Sequence, residues 1–251
     1  MFLAKPGVYE PCGIFNIGHL VMILISIIGI SIAVKCTKIN KKEDLKRIIR
    51  ILTIIIWVLE ILKTIFVISI GEWKNLNRIV PLYYCSLLLY TGLLSSVAKG
   101  KLERTANVFL ATGGIFGGIV FILYPSTSLP EYPMFHFVSI HSFFFHSTMV
   151  YLGVIINKFK YVEVKMSDLK YYASLILVIC ILAYMVNTKY GSNLMFISQD
   201  FPGMPVSILY NGTGKWFTPI MVIAHMTIPF LCVYWLLKLK KWCMKKKMKL
   251  A

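Results

Sequence analysis

Long apolar stretches alternate with short, mostly basic connections along this chain of 251 residues. Several of these stretches approach the roughly 20 apolar residues that a helix needs to cross the hydrocarbon core of a bilayer. The pattern predicts an all-α fold, a polytopic membrane helix bundle with seven transmembrane helices that form a single transmembrane unit. The predicted spans are about 15–35, 49–70, 80–98, 105–124, 136–157, 169–187 and 217–237.

Lysine and arginine are divided unevenly between the connections on the two predicted sides of the membrane. The basic set holds 21 of the 27 such residues and consists of 35–50, 99–104, 158–170 and 238–249. The opposite set holds five and consists of the N-terminus, 71–79, 125–135 and 188–216; Lys63 lies within a span. Because cytoplasmic loops carry the excess of basic residues, the division predicts the N-terminus out and the C-terminus in.

Composition supports a membrane protein and changes the meaning of the charge. The chain is 58% hydrophobic with a mean hydropathy of +0.74, and its net charge is +17. In a soluble protein this charge would suggest nucleic acid, but here it lies beside the membrane. We therefore predict membrane lipids and no nucleic acid as partners, with the basic tail 238–251 held at anionic lipid on the cytoplasmic side. The sequence indicates no particular oligomeric state.

The six cysteines form neither a C-x-x-C motif nor a regular framework, which predicts no zinc site, no disulfide scaffold and no cofactor. The first apolar run has its main positive charge after it and no small-residue cleavage site. We therefore expect the first helix to be retained in the mature protein.

The fifth predicted span, FHFVSIHSFFFHSTMVYLG, carries three of the five histidines. Ionisable side chains within a bilayer usually face the bundle interior or a cavity. Ser139, Ser142, His146 and Gly153 share one helix face, and such small or hydroxyl residues favour helix contact. His146 is therefore expected to face inward, whereas His141 is turned away by about 140°.

Counting residues inward from the predicted outer surface places most polar groups of the spans in the outer half of the membrane. This distribution predicts a polar cavity that opens outward and ends near the bilayer centre. Pro81 suits the first turn of the third span, which puts Cys85 about one turn deeper. The candidate substrate-binding residues are Glu60, Lys63, His19, His225 and Asn193.

Three chemistries are compatible with such a cavity. A thiol and an imidazole are the nucleophile and base of acyl transfer, and Cys85 can pair with His146 or with His141. Alternatively Glu60 and Lys63, which can form an ion pair at i,i+3, belong to a proton or ion relay for transport. The third chemistry is a metal site formed by several histidines. No H-x-x-E or H-x-x-x-H spacing supports it, so we predict no metal site.

Two further stretches have predicted structural roles. The glycines of 113–118 are expected to permit close helix packing. The segment 188–216 is too aromatic and apolar for a free loop, so we predict that it lies on or dips into the bundle mouth as an outer lid.

The chain resembles the YwaF family of bacterial integral membrane proteins, relatives of a vertebrate multi-pass phospholipid acyltransferase. The resemblance covers most of the chain and depends on residues in a fixed order. These are Glu60, Trp73, Pro81-Leu-x-x-Cys85, the glycine-rich span that ends at Pro125, His146 before a small residue, and Tyr190-Gly-Ser-Asn193-Leu-Met-Phe196 before Pro202.

The resemblance implies a seven-span bundle in a bacterial plasma membrane, with Cys85 as nucleophile and His146 as base. Our leading hypothesis is a lipid acyltransferase or acyl-ester hydrolase in which Asn193 or His141 helps to hold the oxyanion. The main alternative is a small-molecule or proton-coupled transporter centred on Glu60 and Lys63. A receptor-like or structural role is the third reading.

Overall fold

A computed structural model describes residues 1–201 and 206–250, and this part of the chain is helical with no strands. The helices are α1 Ile17–Cys36, α2 Lys42–Ser69, α3 Leu76–Ile79, α4 Leu87–Val97, α5 Gly100–Phe109, α6 Ile115–Leu123, α7 Phe137–Lys158, α8 Leu169–Tyr190, α9 Val206–Thr213 and α10 Phe217–Leu250. A π-helical turn, Leu110–Gly114, joins α5 to α6. Residues 202–205 of the predicted lid and residue 251 of the predicted tail lie outside the described residues.

Six of the described helical segments are long and apolar enough to cross a membrane. They are Ile17–Cys36, Lys42–Ser69, Gly100–Leu123, Phe137–Lys158, Met166–Tyr190 and Val206–Met244. The prediction of an all-helical chain with several membrane-spanning helices is therefore confirmed. The predicted third span, 80–98, is not among the six, because its only regular helix is the 11-residue α4.

The start of this third span differs from the prediction. Pro81 does not begin a helix, and residues 80–83 are irregular before a turn at 84–86. In that turn the Leu88 amide donates to the Cys85 carbonyl at 3.0 Å, an i to i+3 bond that precedes the first turn of α4. The reason is tertiary, since the rings of Tyr83 and Tyr84 pack on Phe196 and Phe109 on other elements. Their packing outweighs the local preference for helix.

Local sequence signals fix several helix ends. The Asn16 side chain accepts the His19 amide at 2.9 Å and caps α1, and the His136 ring accepts the Val138 amide at 3.1 Å and caps α7. Helix α8 ends at Gly191, whose φ of +65° is a left-handed conformation that favours glycine. The cap on α7 fixes where one of the cavity-forming helices begins.

The segment Gly100–Leu123 and helix α7 form the centre of the bundle. In each, 67% of the spanning window is buried, compared with 17% to 28% in the other four candidate spans. Large apolar side chains on the outer helices are exposed, as expected for lipid-facing surfaces; on α1 they include Leu20, Leu24 and Ile25.

Glycine allows the two central elements to approach each other closely. A Cβ atom added at Gly118 would lie 2.7 Å from the His146 carbonyl oxygen on α7, and one at Gly153 would lie 2.6 Å from the Leu110 carbonyl oxygen. Neither position has room for a side chain. The predicted packing role of the 113–118 glycines is therefore confirmed for Gly118.

Candidate functional site

A cavity of about 210 Å³ lies between α2, α6, α7 and the irregular segment before α4. Glu60, Lys63, Cys85, His141 and His146 all line it. The structure thus brings together five of the eight residues that the sequence indicated.

Helix α7 contributes a wide stripe to the wall of this cavity. The lining positions are Val138, His141, Ser142, Phe145 and His146, which follow the i, i+3, i+4, i+7, i+8 pattern of one helix face. This stripe is about 140° wide, so His141 and His146 lie at its opposite edges. The expected separation of the two rings is therefore present, but the expectation that His141 is turned away is wrong, because the cavity extends across the whole stripe.

The structure determines which nitrogen of His146 carries the proton. His146 Nδ1 lies 2.6 Å from the Ser142 carbonyl oxygen, and since a carbonyl only accepts, Nδ1 is the donor. Nε2 is buried and has no hydrogen-bond partner among the described residues. The ring stacks on Phe121 with centroids 3.6 Å apart and planes at 6°. The hydrogen bond and the stacking therefore fix the orientation of the His146 ring and leave a lone pair on Nε2 at the cavity wall.

A chain of three ionisable groups lies at the opposite edge of the stripe. Lys63 Nζ forms an ion pair with Glu60 Oε1, as the i,i+3 spacing predicted. Glu60 Oε2 lies 3.4 Å from His141 Nε2, although neither ring nitrogen of His141 has the geometry of a hydrogen bond to any described residue. Glu60 and His141 are only 6% and 5% exposed. Both are therefore shielded from bulk solvent.

Cys85 lies on the turn just before α4, half-buried, with its neighbour Tyr84 anchoring the turn. The Tyr84 ring fills the space beside Gly113 and Gly117, where a Cβ atom would collide with it. The Tyr84 hydroxyl donates to Tyr172 at 2.6 Å, since the Tyr172 hydroxyl itself donates to a backbone carbonyl on α10. This packing holds Cys85 at the cavity wall.

All six cysteines fall within the described part of the chain, and all six are free. The prediction of no disulfide scaffold is confirmed. Cys85 is therefore a thiol.

An ion-pair cluster lies between the connections that follow α2 and α6, and its members Arg78 and Glu131 line the cavity. Arg78 pairs with Glu131, donates to the Tyr132 hydroxyl at 3.1 Å and lies 3.9 Å from Glu72. Burial acts to lower the pKa of Arg78, but the carboxylates of Glu131 and Glu72 outweigh it and raise that pKa above its ordinary value. The cluster joins two connections that both contribute to the cavity wall.

Three of the sequence-predicted residues are not among those that line the cavity. His19 accepts the Phe15 amide at Nδ1 and donates from Nε2 to the Ile122 carbonyl at 3.0 Å, so both ring nitrogens are engaged. His225 donates from Nδ1 to the Met221 carbonyl at 2.7 Å, within its own helix.

Asn193 is the third of these residues, and its side chain shapes the segment between α8 and α9. Its Oδ1 accepts the amides of Ser198 and Gln199, each at 3.1 Å, and its Nδ2 donates to the Gln199 carbonyl at 3.1 Å. The same segment buries Leu194 completely and brings Phe196 to the cavity wall. Asn193 therefore acts on the cavity through Phe196 rather than by direct contact.

Sequence reasoning missed several wall residues, above all Phe121, Arg78 and Glu131. Phe121 follows Gly117 by four residues, a helical spacing that places both on one face and was a usable signal. Arg78 and Glu131 lie in separate loops, and no sequence pattern links them. Among residues 1–201 and 206–250, no three His, Cys, Asp or Glu side chains are grouped so that they could hold a metal ion.

Apolar spanning helices and lipid-facing side chains together define an integral, multi-pass membrane protein. The family model of the TMEM164 family matches residues 14–240, and the chain belongs to this family. No curated protein and no solved structure matches the chain significantly.

Proposed function

We propose that this protein is a lipid acyltransferase or acyl-ester hydrolase that uses Cys85 as nucleophile and His146 as base. The observation that carries the proposal is the buried, unpartnered Nε2 lone pair of His146 in the same cavity as a free thiol. A thiol nucleophile and an imidazole base that line one site are the general pairing of cysteine-based acyl transfer.

The proposed first step transfers an acyl group from an ester to the thiol. His146 Nε2 takes the proton of Cys85, and the sulfur attacks the carbonyl carbon of the ester. The carbon–oxygen bond of the ester breaks, and the departing oxygen takes the proton from His146. The products are a free hydroxyl compound and an acyl thioester on Cys85, which water or a second hydroxyl then discharges.

The surroundings of the cavity favour a lipid substrate. The cavity lies among membrane-spanning helices, and its walls include the apolar rings of Phe121, Phe145 and Phe196 beside its polar groups. Apolar walls with a few convergent polar groups are typical of sites for amphiphilic ligands. The resemblance to the YwaF family and to a phospholipid acyltransferase supports the same class of substrate.

A seven-crossing topology, with the N-terminus outside and the C-terminus inside, is part of this proposal. Helix α4 spans about 16 Å, and residues 80–86 reach at most about 23 Å more, which together suffice for a hydrocarbon core of about 30 Å. Irregular backbone is tolerated at such depth where it lines a cavity, and residues 83–86 do so.

On this topology the cavity of a single seven-helix bundle opens to the outer side of a bacterial plasma membrane. The outer segment 188–216, of which 202–205 lie outside the described residues, is proposed as the lid that admits lipid from the outer leaflet. Phe196 of this segment lines the cavity, which supports the proposal.

The proposal is tested by measuring formation of the acyl thioester on Cys85. The purified protein in phospholipid vesicles with a labelled acyl chain should gain one acyl group on Cys85, detected by peptide mass spectrometry and removed by neutral hydroxylamine. Cys85→Ser should abolish the acyl thioester, because it removes the sulfur that carries the acyl group. His146→Gln should lower the rate of thioester formation by about 100-fold or more, the usual contribution of a general base. Cys180→Ala removes a buried thiol that does not line the cavity and is the matched control. Equal labelling of Cys85 and Cys180 would refute the proposal.

A second candidate function is transport of a proton-coupled small molecule. The observation that favours it is the buried chain of Lys63, Glu60 and His141 at the cavity wall, since ionisable groups within a membrane often mark an ion path. Cys85→Ser and Glu60→Gln separate the two candidates. A transporter would tolerate Cys85→Ser and lose uptake in Glu60→Gln, whereas an acyl enzyme would lose thioester formation in Cys85→Ser.

A further inference from the structure

The cavity contains a second histidine that the proposed first step does not use. His141 is 5% exposed, and both of its ring nitrogens lack a hydrogen bond to any described residue. Nε2 faces the carboxylate of Glu60 at 3.4 Å, so Nδ1 is the nitrogen with no polar group of a described residue beside it. Buried polar atoms are almost always hydrogen-bonded, so an unpartnered Nδ1 at a cavity wall is suited to bind a polar group of a ligand. The ligand group must lie within the cavity, because His141 lines it.

The neighbours of His141 fix which nitrogen is free to act. Nε2 lies 3.4 Å from Glu60 Oε2, and the carboxylate, itself paired with Lys63, only accepts hydrogen bonds. The proton of a neutral His141 ring is therefore favoured on Nε2, which leaves the lone pair on Nδ1. His146 has the opposite arrangement, since its proton is fixed on Nδ1 and its lone pair is on Nε2.

We propose that His141 is the base of the second half-reaction, in which a hydroxyl group takes the acyl group from the Cys85 thioester. Glu60 is then a positioning residue that orients the His141 ring, and Lys63 holds Glu60 in place. This inference rests on the proposed function of the cavity. It adds a separation of roles, with His146 forming the thioester and His141 discharging it.

The proposed step is balanced. The acceptor hydroxyl gives its proton to His141 Nδ1 while its oxygen forms a bond to the thioester carbonyl carbon. The carbon–sulfur bond then breaks, and the sulfur of Cys85 leaves as a thiolate. The thiolate takes up one proton and His141 releases one, which restores the thiol and the neutral ring. The product is an ester when the acceptor is an alcohol and a free acid when it is water.

The experiment measures thioester formation and discharge separately, in the full chain reconstituted in vesicles. In His141→Gln and in Glu60→Gln, the acyl thioester on Cys85 should form and then accumulate. Discharge by a monoacylglycerol added to the vesicles, or by water, should slow by about 100-fold in His141→Gln. Neutral hydroxylamine, a strong nucleophile that needs no base, should discharge the thioester of every variant at the wild-type rate.

The rate of discharge by hydroxylamine separates a chemical role of His141 from a structural one. Loss of a base leaves this rate unchanged, whereas a distorted cavity would change it. Ser139→Ala is the matched control on the same helix, since the Ser139 hydroxyl is buried, has no hydrogen-bond partner among the described residues and does not line the cavity. It should form and discharge the thioester normally. Product mass identifies the acceptor, as ester for the alcohol or free acid for water.

Two results would overturn the inference and leave the proposed function intact. One is unchanged discharge in His141→Gln, and the other is slow thioester formation in both His141→Gln and Glu60→Gln, equal to that of His146→Gln. Complete absence of a Cys85 thioester in the wild-type protein would instead remove the proposed function together with this inference.

Discussion

The five histidines of the chain differ in what their two ring nitrogens contact. In His19 and His136 both nitrogens are engaged with backbone groups, so these rings tie the N-terminal region to the bundle. His225 bonds back to its own helix. Only His141 and His146 have a buried ring nitrogen with no hydrogen-bond partner in the described part of the chain, and both line the cavity. A histidine whose ring nitrogens bond to the backbone has a structural role, whereas one with a free nitrogen at the cavity wall is available for chemistry.

Asn187 is the residue on which the turn at the cavity wall depends most. Its Oδ1 accepts from the Ser192 hydroxyl and the Leu194 amide, each at 2.8 Å, and its Nδ2 donates to the Leu194 carbonyl at 3.0 Å and the Ser198 hydroxyl at 2.8 Å. One side chain thus satisfies both backbone groups of a fully buried residue. This turn carries Phe196 into the cavity.

We predict that Asn187→Leu destabilises the protein by about 2 kcal/mol or more. The substitution leaves the buried amide and carbonyl of Leu194 without partners, and each such group costs about 1–3 kcal/mol. Thermal unfolding in detergent checks the prediction. Thr188→Ala is the control, because the Thr188 hydroxyl is exposed and bonds only to its own helix. Equal melting temperatures for the two variants would contradict it.

At the scale of elements, the contact between α6 and α7 positions the base. Gly118 allows α6 to approach the His146 carbonyl, and one turn later Phe121 stacks on the His146 ring. The π-helical turn before α6 adds a residue to the segment and so sets the rotation of α6 relative to α5. A change of spacing here would move Phe121 away from the ring.

We predict that Gly118→Ala lowers both stability and thioester formation. The added Cβ would lie 2.6 Å from Val150 Cγ2 and 2.7 Å from the His146 carbonyl oxygen, so the two helices must separate. Overpacking of this kind costs about 1–3 kcal/mol. Melting temperature and the rate of Cys85 acylation are the two measurements.

Gly114→Ala provides the matched control in the same segment. A Cβ atom there would meet its nearest neighbours at 3.6 and 3.7 Å, which is ordinary van der Waals contact. This variant should retain the stability and acylation rate of the wild type. A loss as large as that of Gly118→Ala would show that the α6–α7 distance is not the cause.

At the scale of the whole molecule, charge divides the connections into two groups. The connections 71–79 and 125–135, which both line the cavity, carry few lysines and arginines, whereas 35–50, 99–104 and 158–170 carry 14 of the 27. Cytoplasmic loops carry such an excess, which favours a cavity that opens on the outer side. Opposite placement of 71–79 and 99–104 requires that residues 80–98 cross the membrane.

We predict that single cysteines introduced at Lys74 and Lys189 react with a membrane-impermeant maleimide in intact cells. Cysteines at Lys101 and Lys160 should react only after the membrane is opened. All four positions are exposed, so differences in labelling report the side of the membrane rather than burial. The background replaces the six native cysteines with serine or alanine. Labelling of positions 74 and 101 from the same side would mean that 80–98 does not cross.

Several properties of this protein were determined by the sequence alone, because they depend on local spacing and hydrophobicity. These include the six long apolar helices, the Glu60–Lys63 ion pair at i,i+3 and the buried, inward face of His146. Each follows from the helical period of about 3.6 residues and from the cost of polar groups in hydrocarbon. The candidate nucleophile and base were also named from residue type and spacing.

Only the tertiary structure decided which of these residues share a wall. The segment before α4 is irregular because Tyr83 and Tyr84 pack on distant elements, and this packing turns Cys85 toward the cavity. His19 and His225 resembled cavity residues by depth and Asn193 by the family resemblance, yet polar atoms of their side chains are engaged with backbone groups outside the cavity wall. Depth along a helix is a local quantity, whereas a cavity is enclosed by side chains from several helices, loops and turns. Their relative positions depend on packing that no single stretch of sequence contains.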